Sequence, residues 1–187
     1  VNVKEYNLES LYNKLGYVSQ KTVMFSGTVS SNVAYGENGL GEYSEETVKR
    51  AVSIAQASDF VEGMENQYEA AVAQGGANLS GGQKQRLSIA RAVCRKPEIY
   101  IFDDSFSALD YKTDRVLRSV LKKETADTTS IIVAQRIGTI KDADMIIVLD
   151  EGKIAGRGTH EELMKTCDIY RQIALSQLSK EELENEQ

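Results

Sequence analysis

The chain contains short apolar runs separated by longer stretches whose apolar residues recur at helical spacing. The apolar runs are uninterrupted, as in strands buried on both faces of a parallel sheet: Ile99 to Phe102, Ile131 to Ala134 and Met145 to Leu149. Helical spacing predicts helices at Glu45 to Ala57, Ser80 to Arg95 and Tyr111 to Lys123. Strands that alternate with helices indicate an α/β fold.

Weaker signals extend this pattern towards both ends of the chain. Residues 38–95 contain no convincing strand, which predicts a helical insertion in the α/β core. Tyr17 and Val18 are expected to open a short strand that ends at Gln20. Residues 150–153 read as a hairpin turn into a strand at 154–157, and a last helix is expected from Thr159 towards Ala174.

Composition narrows the function classes. The chain has 187 residues, of which 41% are hydrophobic, and this suits a globular domain. The net charge is -6 and the basic residues are scattered, so a nucleic-acid partner is not expected. Cys94 and Cys167 are far apart and do not form a C-x-x-C pair, which predicts ordinary reduced thiols.

The string LSGGQ begins at Leu79 and precedes a predicted helix. Ser80 and Gln83 have the spacing of a capping box, which would satisfy free amides at the helix start. Capping does not explain Gly81 and Gly82, since a glycine in a helix costs about 1 kcal/mol relative to alanine. Glycines there leave the first turn open, so the string predicts a phosphate site at the positive end of a helix.

A second candidate site follows the first buried strand, where Asp103 and Asp104 would lie at the carboxyl edge of a parallel sheet. An acidic pair in solvent is the alternative for such a dipeptide. The buried strand before it and the string Ser107 to Asp110 after it favour a functional pair. His160 is predicted to be a surface residue in the first turn of the last helix, where Thr159 and Glu162 have capping-box spacing.

Taken together, these strings resemble the motifs of the ATP-binding cassette (ABC) ATPases, in the order and spacing of that family. LSGGQ and the helix after it resemble the signature motif. The other resemblances are the Q-loop (Tyr17 to Gln20), an exporter-type stretch (Phe25 to Gly36), the X-loop (Gln74 to Asn78), Walker B (Ile99 to Asp104), the D-loop (Ser107 to Asp110) and the switch loop (Ile131 to Arg136).

The resemblance implies a P-loop NTPase core of RecA type with an inserted helical subdomain. It divides the chain into core with Q-loop (1–37), helical subdomain with signature (38–95), core with Walker B, D-loop and switch loop (96–158), and C-terminal helices and tail (159–187). The phosphate-loop pattern G-x-x-x-x-G-K-[ST] does not occur in the 187 residues, so we expect the chain to begin after it and to be inactive alone.

The resemblance also implies roles for individual residues. Asp103 and Gln20 would hold Mg²⁺, and Asp104 and Gln135 occupy catalytic positions facing the γ-phosphate. The residues implied in ATP binding are Gln20, Ser80, Gly81, Gly82, Gln83 and Asp110.

Two of these positions depart from the family pattern. The family normally has glutamate at the position of Asp104, as general base, and histidine at the position of Gln135. Aspartate has a shorter reach, and a neutral amide cannot carry an imidazolium charge. We therefore expect a hydrolytically weak site on this subunit's own Walker B side.

Family members dimerise head to tail, so the resemblance implies that the signature completes the ATP site of a second nucleotide-binding domain. An intact signature beside a weak Walker B side favours a heterodimer. The exporter-type stretch implies a transmembrane partner and a place at the cytoplasmic face of the cell membrane. A soluble, non-transport ABC ATPase and a non-catalytic regulatory cassette stay open as alternatives.

Overall fold

The computed structural model describes residues 2–36 and 41–184, which fall into two compact units divided between Val133 and Ala134. Within the described ranges, no helix combines the length and the apolar character needed to cross a membrane. In chain order, the first unit contains α1 (Leu8–Lys14), β1 (Leu15–Val18), β2 (Gly27–Thr28), α2 (Val29–Val33), α3 (Glu45–Ile54), α4 (Ser58–Glu62), β3 (Ala71–Val72), α5 (Gly81–Cys94), β4 (Ile99–Asp103), α6 (Tyr111–Glu124) and β5 (Thr129–Val133).

A parallel sheet with strand order β1-β4-β5 forms the centre of the first unit and confirms the predicted α/β class. β1 begins at Leu15 and ends at Val18, so the prediction of a strand reaching Gln20 is wrong at both ends. The early start has a visible cause: Leu15 pairs with Ile99 at the first position of β4. Because the strands are parallel, Val18 and Asp103 end at the same edge of the sheet.

β5 corrects the prediction that every apolar run is buried on both faces. Ile132 packs against the core, whereas Ile131 and Val133 are 50% and 53% exposed. Successive side chains of a strand point to opposite faces, and only one face of β5 meets this core. An apolar run alone does not reveal that difference.

The helical insertion is present but it contains a short strand, which the sequence analysis missed. β3 pairs antiparallel with β2, through Gly27 with Val72 and Thr28 with Ala71. Each strand has two residues, too few to show the alternation that marks a strand. α3 ends at Ile54 rather than Ala57, because Gln56 takes a left-handed backbone (φ 55°) before α4 begins at Ser58.

α5 is the best buried helix of the insertion. Leu87, Ile89 and Ala90 have no exposed surface, and they pack in the same core as Val18 of β1 and Phe102 of β4. The core therefore holds the C-terminal part of this helix in place. The first turn, from Gly81, lies at the surface.

The second unit contains α7 (Ile137–Ile140), β6 (Ile146–Asp150), β7 (Lys153–Gly158), α8 (His160–Thr166) and α9 (Asp168–Glu184). β6 pairs antiparallel with β7, so the hairpin is confirmed, while the expectation of a parallel-sheet strand buried on both faces at Met145–Leu149 is wrong. Glu151 and Gly152 take left-handed backbones (φ 46° and 77°), and this turn reverses the chain.

The last helix is divided into two. Cys167 has an extended backbone (φ -123°, ψ 102°) between α8 and α9, where a single helix was expected. The capping box of Thr159 and Glu162 is confirmed. His160 is half-buried rather than a surface residue, because its Nδ1 lies 2.8 Å from the hydroxyl of the buried Tyr170.

Candidate functional site

The capping box predicted at the start of α5 is present. The amide of Gln83 donates to the Ser80 hydroxyl at 3.2 Å, and the amide of Ser80 donates to Oε1 of Gln83 at 2.9 Å. These bonds fix the direction in which the helix begins. Among the described residues, no acceptor is bonded to the amides of Gly81 and Gly82, which remain the open donors of this turn.

Neither the backbone nor the packing of this chain requires glycine at residue 81. Its φ is not among the positive values, and a methyl group placed on it would meet no atom within 4 Å. A methyl group on Gly82 would be 3.4 Å from the Ala108 oxygen and 3.8 Å from a Leu109 methyl, both ordinary contacts. The two glycines therefore keep the first turn uncrowded without serving the fold around them.

The atoms nearest to Gly82 belong to Ala108 and Leu109, so the D-loop lies beside the signature turn. Asp110 ends this loop as the N-cap of α6, where its carboxylate accepts from the amide of Thr113 at 2.9 Å. That hydrogen bond lowers the pKa of the exposed Asp110 carboxyl. The described role of Asp110 is thus to fix the end of the D-loop, and its predicted contact with ATP stays a prediction.

The sheet edge brings the predicted Q-loop and Walker B residues together. Nε2 of Gln20 donates to Oδ2 of Asp104 at 3.3 Å. This contact follows from the parallel pairing of β1 and β4, which ends the two strands at the same edge. The structure therefore joins two residues that the sequence analysis singled out separately.

Tyr17 is a member of this site whose contact the sequence analysis missed. Its hydroxyl donates to Oδ2 of Asp103 at 3.2 Å, and this hydrogen bond raises the pKa of Tyr17. Tyr17 is 56% exposed on the face of β1 opposite the buried Val18. The alternation of buried and exposed residues in β1 is the signal that could have drawn attention to it.

The backbone at Asp104 is unusual. Its φ is 46°, in the left-handed region, and its amide donates to the Val133 oxygen at 2.9 Å across the sheet edge. Aspartate tolerates this region better than most residues that carry a side chain. Local geometry therefore gives aspartate at this position a structural reason, and its catalytic role stays a prediction.

The donor set at this edge fits Mg²⁺. Asp103 supplies a carboxylate and Gln20 an amide group, and Mg²⁺ is usually held by one or two carboxylates together with water and phosphate oxygens. Within residues 2–36 and 41–184, no group of three or more His, Cys, Asp or Glu side chains could hold a metal ion. Bound Mg²⁺ at this edge would therefore take only a few ligands from the chain, Asp103 and Gln20, and the rest from water and phosphate oxygens.

Gln135 lies in the second unit and has an exposed side chain. Gln177 anchors the backbone on both sides of Arg136: its Nε2 donates to the Gln135 oxygen at 2.8 Å, and its Oε1 accepts from the amide of Ile137 at 2.7 Å. The loop is therefore fixed to α9, while the side chain of Gln135 stays accessible. Its catalytic role stays a prediction.

Comparison with known proteins gives consistent results. The sequence profile of the family described as ABC transporter matches residues 1–107. An uncharacterized ABC transporter ATP-binding protein of Mycobacterium tuberculosis (strain ATCC 25618 / H37Rv) is 46% identical over 95% of this chain and 30% of its own length. The ATP-dependent lipid A-core flippase of Mannheimia succiniciproducens is 39% identical over 92% of this chain and 29% of its own length.

A solved structure agrees with these relatives. A bacterial Atm1-family ABC exporter with ATP bound matches with a TM-score of 0.88 and 35% identity, over 94% of this chain and 30% of that chain. The chain thus spans about 30% of the length of these two relatives and this exporter. The motifs, the parallel sheet and the matches lead to one conclusion: the chain belongs to the ABC transporter family, as part of an ATP-binding domain of exporter type.

Proposed function

We propose that this chain is an energy-coupling part of an ABC exporter and that the first turn of α5 contacts the phosphates of an ATP molecule held by a second nucleotide-binding domain. The observation that carries this proposal is the open turn itself. Gly81 has neither a backbone nor a packing reason to be glycine, and its amide is unpaired among the described residues. A group outside the chain accounts for both features.

Electrostatics supports a phosphate as that group. The N-terminus of a helix carries about half a positive charge, and the first turn of α5 contains no acidic residue to neutralise it. Ser80 and Gln83 already bond to each other's backbone, which leaves the amides of Gly81 and Gly82 to donate outwards. Ser80 and Gln83 would thus orient the turn, and the glycine amides would make the contact.

The Walker B side of the chain supports a heterodimer in which the two ATP sites hydrolyse ATP at different rates. Asp103 and Gln20 would hold Mg²⁺, whose bound form neutralises charge on the phosphates. Asp104 would orient the attacking water from a carboxylate that is shorter than glutamate and already accepts from Gln20. Together with Gln135 in place of histidine, this favours slow hydrolysis at this subunit's own site and faster hydrolysis at the partner's site.

The similarity to an Atm1-family ABC exporter and to a lipid A-core flippase supports a membrane partner. Residues 23–36 follow the Q-loop and carry an exposed group of apolar side chains, with Val23 at 55%, Phe25 at 38% and Tyr35 at 50% exposure. We propose that this surface meets the transmembrane part of the exporter at the cytoplasmic face of the membrane. Gln20 would then lie between that surface and Asp104.

Bulk at the open turn tests the proposal. In the full-length protein containing this chain, assembled with its partner domain, we expect Gly81→Leu to lower ATP hydrolysis by about a hundredfold, since loss of one oxyanion donor costs about 10²–10³ in rate. Ala77→Leu is the control, because it also places a leucine side chain at an exposed residue just before the signature and should hydrolyse ATP normally.

Gly81 is a cleaner position for this test than Gly82, where a large side chain would press on the Ala108 oxygen of this chain. Wild-type turnover by Gly81→Leu would refute the contact with the partner's ATP. Equal loss in the Ala77→Leu control would instead trace the defect to the loop before α5.

A further inference from the structure

Arg91 lies in α5 and its guanidinium points at a different part of the chain. Its Nε donates to the Asn32 oxygen at 2.8 Å, its Nη1 to the Val23 oxygen at 2.9 Å and its Nη2 to Oδ1 of Asn32 at 3.1 Å. Every one of these acceptors belongs to residues 23–36. One side chain therefore fastens the signature helix to the segment that follows the Q-loop.

Two aromatic rings complete the contact. Phe25 and Tyr35 stack with centroids 4.1 Å apart, and the guanidinium carbon of Arg91 lies 5.3 Å and 5.6 Å from those centroids. Cations at such distances from aromatic faces are attracted by the ring quadrupole. Burial lowers the pKa of the Arg91 guanidinium, although an arginine stays charged at neutral pH.

Asn32 connects distant residues of the segment through its buried side chain. It is 1% exposed, and its side chain accepts from the amide of Phe25 at 2.9 Å and donates to the oxygens of Phe25 at 2.9 Å and Thr28 at 3.0 Å. The loop from Phe25 to Asn32 is thereby closed on itself. A displacement of the exposed Phe25 and Tyr35 rings would therefore also move the oxygens that accept hydrogen bonds from Arg91.

We infer that Arg91 is the positioning residue that couples the exposed surface of residues 23–36 to the open first turn of α5. The helix between them is continuous and is buried from Leu87 to Ala90, and ten residues at 1.5 Å each place Arg91 about 15 Å from Gly81. A rigid helix carries a displacement at one end to the other. This inference rests on the proposed function, which assigns ATP to one end and the transmembrane part to the other.

The contact depends on arginine rather than on positive charge alone. Three donors of the planar guanidinium reach three oxygens while its flat face meets two rings, and a lysine ammonium cannot match that fork or stack in the same way. Arg86 in the same helix provides a matched comparison. It bonds to the Gln56 oxygen and to Asp59 and lies over Phe60, all within the helical insertion.

Hydrogen–deuterium exchange in the full-length protein, assembled with its partner domain, tests the coupling. With ATP and Mg²⁺ as the probe, we expect the wild type to exchange more slowly at residues 79–83 and at residues 23–35. Arg91→Lys should keep the response at 79–83 and lose about tenfold of the protection gained at 23–35, since lysine keeps the charge but not the three hydrogen bonds of the guanidinium. Arg86→Lys should keep both responses.

A loss of stability alone would raise exchange in both segments, so it cannot imitate the expected result. A full ATP response at 23–35 in Arg91→Lys, or none there in the wild type, would overturn the inference. A missing wild-type response at 79–83 would instead count against the proposed function.

If Arg91→Lys does not fold, Tyr35→Leu takes its place. Tyr35 is half exposed, and this substitution removes one ring from the contact. We expect it to weaken the ATP response at 23–35 about threefold, because one of the two cation–π contacts of Arg91 is lost. An unchanged response in Tyr35→Leu would then overturn the inference.

Discussion

Gly81→Ala separates what the fold requires at the signature turn from what an external ligand requires. Gly81 has a helical backbone, and a methyl group there meets no atom within 4 Å. Alanine is the better helix former, by about 0.8–1 kcal/mol in a helix interior and less in a first turn. We therefore expect the substitution to stabilise the chain by about 0.5 kcal/mol.

Thermal unfolding measures this gain. For a chain of about this size, 1 kcal/mol shifts Tm by about 2–4 °C, so Gly81→Ala should raise Tm by about 1–2 °C. Gly152→Ala is a useful control, because a methyl group there also meets no atom within 4 Å but φ is 77°. Alanine is strained at that angle, so this control should lower Tm.

The same substitution should impair the partner's ATP site. A methyl group beside the Gly81 amide would hold a phosphate away from the two open donors, and we expect ATP hydrolysis by the assembled full-length protein to fall by about tenfold or more. A substitution that raises the stability of the chain and lowers ATP hydrolysis identifies a glycine that serves function rather than the fold. Normal hydrolysis with higher stability would refute our interpretation of the open turn, and a lower Tm would refute the packing argument.

Two further predictions concern the Walker B side and the core. Asp104→Glu combined with Gln135→His should increase ATP hydrolysis at this subunit's own site in the assembled full-length protein, measured with the partner's catalytic site inactivated; an unchanged rate would contradict our account of a weak site. The gain is expected to be limited by the left-handed backbone at residue 104, where glutamate is less well tolerated than aspartate. Burial raises the pKa of Cys94 to about 11, so at pH 8 about one thiol in a thousand is ionised and alkylation by iodoacetamide should be slow until the chain unfolds. Labelling at the rate of a free thiol in folded protein, detected by mass spectrometry, would show that this part of α5 is not buried.

Local sequence was sufficient for the features that depend on neighbouring residues. The capping boxes at Ser80 and Thr159 and the hairpin turn before Lys153 were predicted correctly, because their hydrogen bonds or backbone angles are set within a few residues. The apolar run Ile99–Phe102 also predicted β4 correctly, although the pairing of β4 with β1 and β5 is not local. The motif order was also sufficient to identify the family, which the comparisons confirm.

Contacts between distant residues were decided only by the tertiary structure. The run at Met145–Leu149 was expected in a parallel sheet, yet it pairs antiparallel, because apolar character does not specify the direction of the neighbouring strand. The two-residue pairing of β2 with β3 left no periodic signal.

In the candidate site, too, the sequence indicated the residues and the tertiary structure decided their contacts. Sequence singled out Gln20, Asp103 and Asp104, but the hydrogen bond of Gln20 to Asp104 and that of Tyr17 to Asp103 exist because β1 and β4 are parallel and end at one edge. Arg91 is a further case, since its acceptors lie 59 and 68 residues away in the chain. Such contacts depend on how the chain folds back on itself, whereas caps and turns form from residues that are already adjacent.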